Sequence, residues 1–247
     1  MSITLITPVW NNAGTVADCI RSINRQTVKC QHIIVDGGST DGTQDVIERE
    51  RAEGSTFISE PDRGMYDAIN KGIALAEGEI VGVLNSDDFY PTDDALELVE
   101  KAFEKPEVSA SYGDLYYVDR ENPEKVVRNW RSGEYQPKKF YNGWMPPHPT
   151  FFLRRELYKR HGGYRLDLGS AADYELMLRM LLKHDTTAAY VPRVLVHMRT
   201  AGMSNASFKN RVRANRSDRK AWAVNEIKPK PWTLLAKPLG KVGQWLG

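Results

Sequence analysis

The chain has little cysteine, no long apolar run and no internal repeat, and each absence narrows what it can be. Cys19 and Cys30 are the only two cysteines among 247 residues. Two thiols make no disulfide framework, so buried thiols in a reducing compartment are expected. No stretch approaches 18 apolar residues, so no membrane-spanning helix is expected. The opening run Ile3-Thr4-Leu5-Ile6 has the length of a strand and no basic leader, and it does not read as a secretory signal. These absences point to a cytoplasmic setting. The Gly-x-Gly-x-x-Gly fingerprint is missing, and so is the Gly-Lys-Ser/Thr of a Walker loop. What is present is an ordinary globular composition, 41% hydrophobic and 27% charged, with enough residues for one large domain or two small ones.

Charge is unevenly spread. From Phe208 to Gly247 ten Lys or Arg face two acids, Asp218 and Glu226, a balance of +8 that leaves −6 on the first 207 residues of a chain whose net charge is +2. The reading is a body over 1–205, divided at about residue 105, and a basic tail over 206–247 that begins as a helix to Asn225. Trp222, Trp232 and Trp245 stand among its cations. Leu234, Leu235, Leu239, Val242, Trp245 and Leu246 could enter a bilayer interface, with Lys237 and Lys241 toward anionic headgroups. Packing of this tail on the body is the plainer alternative. A nucleic-acid-binding reading of the basic tail is disfavoured by the acidic body and by the lack of an aromatic-interleaved RNA motif.

The amino-terminal half alternates strand and helix signals. Strands are expected at Ile3–Pro8, His32–Asp36, Phe57–Ser59 and Glu79–Leu84, and helices at Thr15–Gln26, Thr43–Glu53, Met65–Glu77 and Asp93–Glu104. Short connections between them predict a mainly parallel sheet with helices on both faces. Further on, Ser109–Val118 and Lys125–Trp130 read as an antiparallel insertion, and Tyr135–Pro149 as a structured loop over a site. Thr150–Leu153 and Ala188–Val196 read as strands, and Arg155–His161 and Asp173–His184 as helices.

Four segments carry the chemistry. Thr7-Pro8-Val9-Trp10-Asn11-Asn12 closes the first strand. Val35-Asp36-Gly37-Gly38-Ser39-Thr40-Asp41-Gly42 places an acid at a strand end and then glycines that let backbone approach a ligand. Asp62-Arg63-Gly64-Met65-Tyr66-Asp67-Ala68-Ile69-Asn70-Lys71-Gly72 crowds charge at a helix start, where acids also serve as plain caps. Asn85-Ser86-Asp87-Asp88 ends the fourth strand in adjacent carboxylates, which suit Mg²⁺ or Mn²⁺ at the ligand-binding end of an open α/β sheet. A turn and helix cap is the alternative.

In this order and spacing the four segments resemble family 2 glycosyltransferases, inverting enzymes of the GT-A fold, and most closely those that build bacterial surface polysaccharide, lipopolysaccharide or colanic-acid-like chains. The resemblance spans about residues 1–205. It implies a Rossmann-like, nucleotide-diphospho-sugar-binding α/β domain with a smaller antiparallel acceptor side. It places Thr7, Pro8, Asn11, Asp36, Gly38, Arg63, Asp67, Asn85, Ser86 and Asp87 around the donor, with Asp36 on the base. Asp87 and Asp88 would hold Mn²⁺ or Mg²⁺, joined by His197. The chain departs from the family at two positions: Gly37 and Asn85 stand where acids are common.

The resemblance also implies a carboxylate base at a helix start after an irregular segment, which fits Asp173. Glu175 is the fallback, about 200° away around the helix. Trp144 and His148 are candidate acceptor contacts, as is Tyr141. The Gln-x-x-Arg-Trp signature of processive synthases is absent, so addition of one or few sugars to a glycan or lipid-linked acceptor is expected. UDP is the first carrier the resemblance suggests, before GDP and dTDP. The rival reading is a non-catalytic sugar-nucleotide-binding partner subunit of the same fold.

Overall fold

The computed structural model describes residues 1–200 and 217–233. The first half runs β1 (Ile3–Val9), α1 (Val16–Asn24), β2 (Gln31–Asp36), α2 (Thr43–Glu50), β3 (Thr56–Ser59), α3 (Met65–Leu75), β4 (Ile80–Val83) and α4 (Ala95–Ala102). β1 lies between β2 and β4, parallel to both, and β3 lies parallel to β2 on the outside. Strand order therefore reverses beside β1, where a doubly wound sheet opens a crevice at its carboxyl ends.

Alternation of side chains fills both faces. Ile6, Val81 and Val83 meet Ile69 of α3 on one side. Ile3, Leu5, Ile80 and Leu84 meet Cys19, Leu96 and Val99 on the other. α3 sits close enough to β1 that a Cβ at Gly72 would lie 2.5 Å from Ile6 Cγ2.

The second half runs β5 (Ala110–Val118), β6 (Val126–Trp130), α5 (Pro137–Tyr141), β7 (Phe152–Arg154), α6 (Arg155–His161), α7 (Ala172–Met177) and β8 (Ala188–Arg199). β7 extends the sheet antiparallel from β4. β5 pairs antiparallel with β7 and then with β6, and parallel with β8. The antiparallel insertion is found for β5 and β6, whereas β8 adds a parallel partner. β8 continues past the expected Val196 because its pairing with β5 runs to Arg199. The helix expected to His184 leaves α geometry after Met177, and Leu178–Lys183 form a π-helical turn.

Residues 217–224 form a helix. Trp222 on it is fully buried, and its indole N–H donates to the Tyr174 hydroxyl at 2.9 Å. At Trp222 the tail packs on the body, as the plainer alternative had it: the indole belongs to the core. Trp232 is half exposed. The tail residues from Leu234 onward lie outside the described residues. Among the described residues, no helix is long and apolar enough to cross a membrane.

Candidate active site

The loops after β1, β2 and β4 are tied into one rim. Asn11, with φ at 45°, donates its N–H to Ser39 Oγ at 2.7 Å and accepts from Thr40 N at 2.9 Å. Asn12 donates its N–H to Thr43 Oγ1 at 2.7 Å and its amide to Ser86 Oγ at 2.9 Å. The expected Asn11 and Ser86 thus come together. Asn12, which joins all three loops, was not singled out, and only its place in an Asn pair could have suggested it.

Three expected donor contacts are placed differently. Thr7 is buried, with its hydroxyl 3.0 Å from His32 Nε2 and 3.9 Å from Cys19 Sγ. Pro8 is buried within β1 opposite Val35. Asp36 is fully buried, and its carboxylate accepts from Gly38 N, Ser39 N, Ser39 Oγ and Ser59 Oγ. A carboxylate offers about four acceptor sites. Three of these donors converge on Oδ2 and one on Oδ1, and with no exposed surface the carboxylate is committed to holding the turn. Gly38 adopts φ +81°, which that turn requires.

At the start of α3, Arg63 keeps its guanidinium exposed while donating to Asp67 Oδ1 at 2.8 Å. Asp67 also accepts from Arg63 N at 3.1 Å, and the Arg63 hydrogen bonds hold its carboxyl below the usual range. Asn70 clamps Tyr164 by two 2.8 Å bonds, one donated and one accepted.

After β4, Asp87 is half buried, and its carboxylate has no hydrogen-bond partner among the described residues. Asp88 is fully buried, and burial, followed by the Asp87 charge, pushes its carboxyl well up. Asp88 Oδ1 and Asn85 Oδ1 are buried without a partner. Each such atom costs about 1–3 kcal/mol if nothing satisfies it, so this corner suits a ligand or cation. Arg199, which sequence reasoning passed over, is buried and donates to Asp87 O at 2.8 Å and Asp18 Oδ2 at 2.5 Å.

The Asn85 amide nitrogen lies 3.1 Å from Asp88 Oδ2 and 3.1 Å from His148 Nε2. An amide nitrogen only donates. Nε2 therefore accepts, and the imidazole proton sits on Nδ1, 3.5 Å from Asp173 Oδ2. Burial lowers the His148 pKa against the opposing charges of Asp173 and Asp87. Asp173 opens α7 and accepts from Tyr174 N at 2.7 Å, and burial, followed by the Asp173 charge, pushes the Tyr66 hydroxyl pKa well up. Asn85, Asp87, His148 and Asp173 are thus brought together.

Glu175, Trp144 and His197 are not. Glu175 is buried on the opposite side of α7 in a bidentate pair with Arg179 at 2.9 and 3.0 Å, and it accepts from Asn225 at 3.1 Å. Trp144 donates to Ser132 O at 2.9 Å and packs on Tyr112, Tyr135 and Phe140. Tyr141 packs on Trp222. His197 pairs by backbone with Phe89, and its ring stacks on Tyr116 at 5.7 Å. It lines a cavity of about 580 Å³ with Asp114, Tyr190 and Arg193. Among the described residues, no three His, Cys, Asp or Glu are arranged to hold a metal ion. A cation here would rely on the two carboxylates and on oxygens of its substrate.

Residues 4–162 match the family model described as glycosyl transferase family 2. An uncharacterized glycosyltransferase of Mycobacterium tuberculosis is 32% identical over 185 residues, 73% of this chain and 69% of the relative. A mannosyltransferase from Pyrobaculum calidifontis, solved in complex with GDP-Man and Mn²⁺, superposes with a TM-score of 0.64 at 24% identity, covering 95% of this chain and 68% of that one. S. aureus TarS 1-349 in complex with UDP-GlcNAc superposes with a TM-score of 0.68 at 16% identity, covering 96% and 69%. The fold is GT-A.

Proposed function

The chain belongs to glycosyl transferase family 2, and on that premise we propose that it moves a sugar from a nucleotide-diphospho-sugar, UDP-linked first, to a hydroxyl of a glycan or lipid-linked acceptor in surface-polysaccharide synthesis. The observation that carries this reading is the His148 bridge. It joins Asn85, on the diacid turn after β4, to Asp173, on the acceptor side.

Inverting transfer needs a base beside the attacking hydroxyl. Asp173 takes that proton. Its carboxylate accepts from Tyr174 N at 2.7 Å and faces Nδ1 of His148 at 3.5 Å. One displacement inverts the anomeric carbon, and no covalent intermediate forms on the protein. Arg63 stands exposed at the amino end of α3, where its charge and the helix dipole favour a diphosphate. Mg²⁺ or Mn²⁺ on Asp87 and Asp88 would supply charge neutralisation for the departing diphosphate.

Asp173→Asn tests the reading. Transfer from UDP-sugars with Mn²⁺ is expected to fall by at least about 10²-fold, the lower range for a lost general base. Nucleotide affinity is expected to stay within about twofold, a shift of less than 1 kcal/mol. Normal turnover by this variant, followed by radiolabelled sugar transfer, removes Asp173 from the chemistry.

A further inference from the structure

Resting on the glycosyltransferase reading, we propose that Asp62 is the carboxylate that recognises the nucleobase, through an imide-type N–H, from the space that Gly37 leaves open. Asp36 does not serve this task, because its carboxylate is fully buried and already accepts four hydrogen bonds, from its own turn and from Ser59 of β3.

The geometry at position 37 supplies the alternative. A Cβ at Gly37 would lie 2.6 Å from Asp62 Oδ2, 3.1 Å from Cγ and 3.4 Å from Oδ1. The Asp62 carboxylate therefore occupies the volume that a side chain at 37 would enter. Gly38, its neighbour, needs glycine for its positive φ, whereas Gly37 is not among the positive-φ residues. What Gly37 contributes is room.

Asp62 is placed and charged to use that room. Its Oδ1 accepts from Gly64 N at 2.7 Å, which fixes the side chain. Its Oδ2 has no hydrogen-bond partner among the described residues. The cations beside it are committed elsewhere: Arg63 to Asp67, and Lys71 to Glu60 at 2.8 Å and Pro61 O at 3.0 Å. Gly37 follows the carboxyl end of β2 and Asp62 that of β3, on the ligand-binding side of the sheet. An ionised carboxylate is an acceptor only. It pairs with uracil or thymine N3–H, or guanine N1–H. Cytosine and adenine present no imide N–H, so CDP and ADP are disfavoured.

The test is calorimetric binding of UDP, GDP and CDP, with N3-methyl-UDP or N1-methyl-GDP as the probe of the N–H. For wild type, methylation of the preferred nucleotide is expected to weaken binding roughly 10- to 100-fold, the range of a charge-assisted hydrogen bond. Asp62→Asn is expected to weaken the unmethylated nucleotide comparably and to erase the methylation penalty. Gly37→Ala, which pushes the carboxylate aside, is expected to do the same with Asp62 intact, and it serves where Asp62→Asn misfolds. Methylation without effect on wild type overturns the proposal. So does an Asp62→Asn variant that weakens both forms equally, since the contact is then to ribose or to the loop. Failure of every nucleoside diphosphate to bind wild type overturns the glycosyltransferase reading as well.

Discussion

A single amide holds the two sides of the site together. Asn85 stands where the family commonly has an acid. An aspartate there could not donate to Asp88 and would meet His148 with an acceptor. The amide instead donates to both neighbours. The sequence showed Asn85 as a departure and His148 as a loop histidine between prolines, but not the contact between them. They lie 63 residues apart, and no local pattern encodes that distance. The 200° phase between Asp173 and Glu175 was legible, since it follows from helix geometry alone. The filling of Asp36 was not, because Ser39 and Ser59 reach it from a turn and from another strand.

His32 offers a test at the same scale. It is buried, Nε2 lies 3.0 Å from Thr7 Oγ1, and Nδ1 has no partner. Burial pushes its pKa down to about 4. The unfolded chain therefore binds this proton first as pH falls below about 6.5. The stability contributed by neutral His32 is full above that pH and declines down to about 4, by roughly 3 kcal/mol in all. Urea unfolding at pH 7 and pH 4.5 is expected to show that loss in wild type and a smaller one in His32→Leu. Equal losses would mean that other groups carry the pH dependence.

Among elements, α7 and the helix over residues 217–224 are mutually dependent. Trp222 donates to Tyr174 and Asn225 to Glu175, so the later helix covers the face of α7 opposite the site. Trp222→Ala is expected to cost about 3–5 kcal/mol, read from denaturant midpoints. A cost under about 1 kcal/mol, the scale of surface substitutions, would mean that the helix is dispensable. Alternation made β1 to β4 and α1 to α4 readable, because each is buried by a periodic face. The ends of β7 and β8 were not readable. Their lengths are set by partner strands, and the two prolines around His148 delay β7 to Phe152.

At the scale of the whole molecule, an acidic body carries a cationic end. Residues 226–247 include Lys228, Lys230, Lys237 and Lys241. Each contributes about 1 kcal/mol near an anionic leaflet, which is the basis for proposing contact with the inner face of a membrane. Flotation with vesicles containing anionic lipid is expected to be strong for the full chain, to weaken as salt shortens the screening length, and to drop when residues 226–247 are removed. Equal flotation of both forms would discard the membrane role while leaving the site untouched.

The vacancy at position 37 carries an evolutionary consequence. Any lineage that restores a side chain there drives a Cβ to 2.6 Å from Asp62 Oδ2. The two positions are therefore coupled through the placement of one carboxylate. A substitution at 37 displaces the Asp62 carboxylate from the place where it would meet a base.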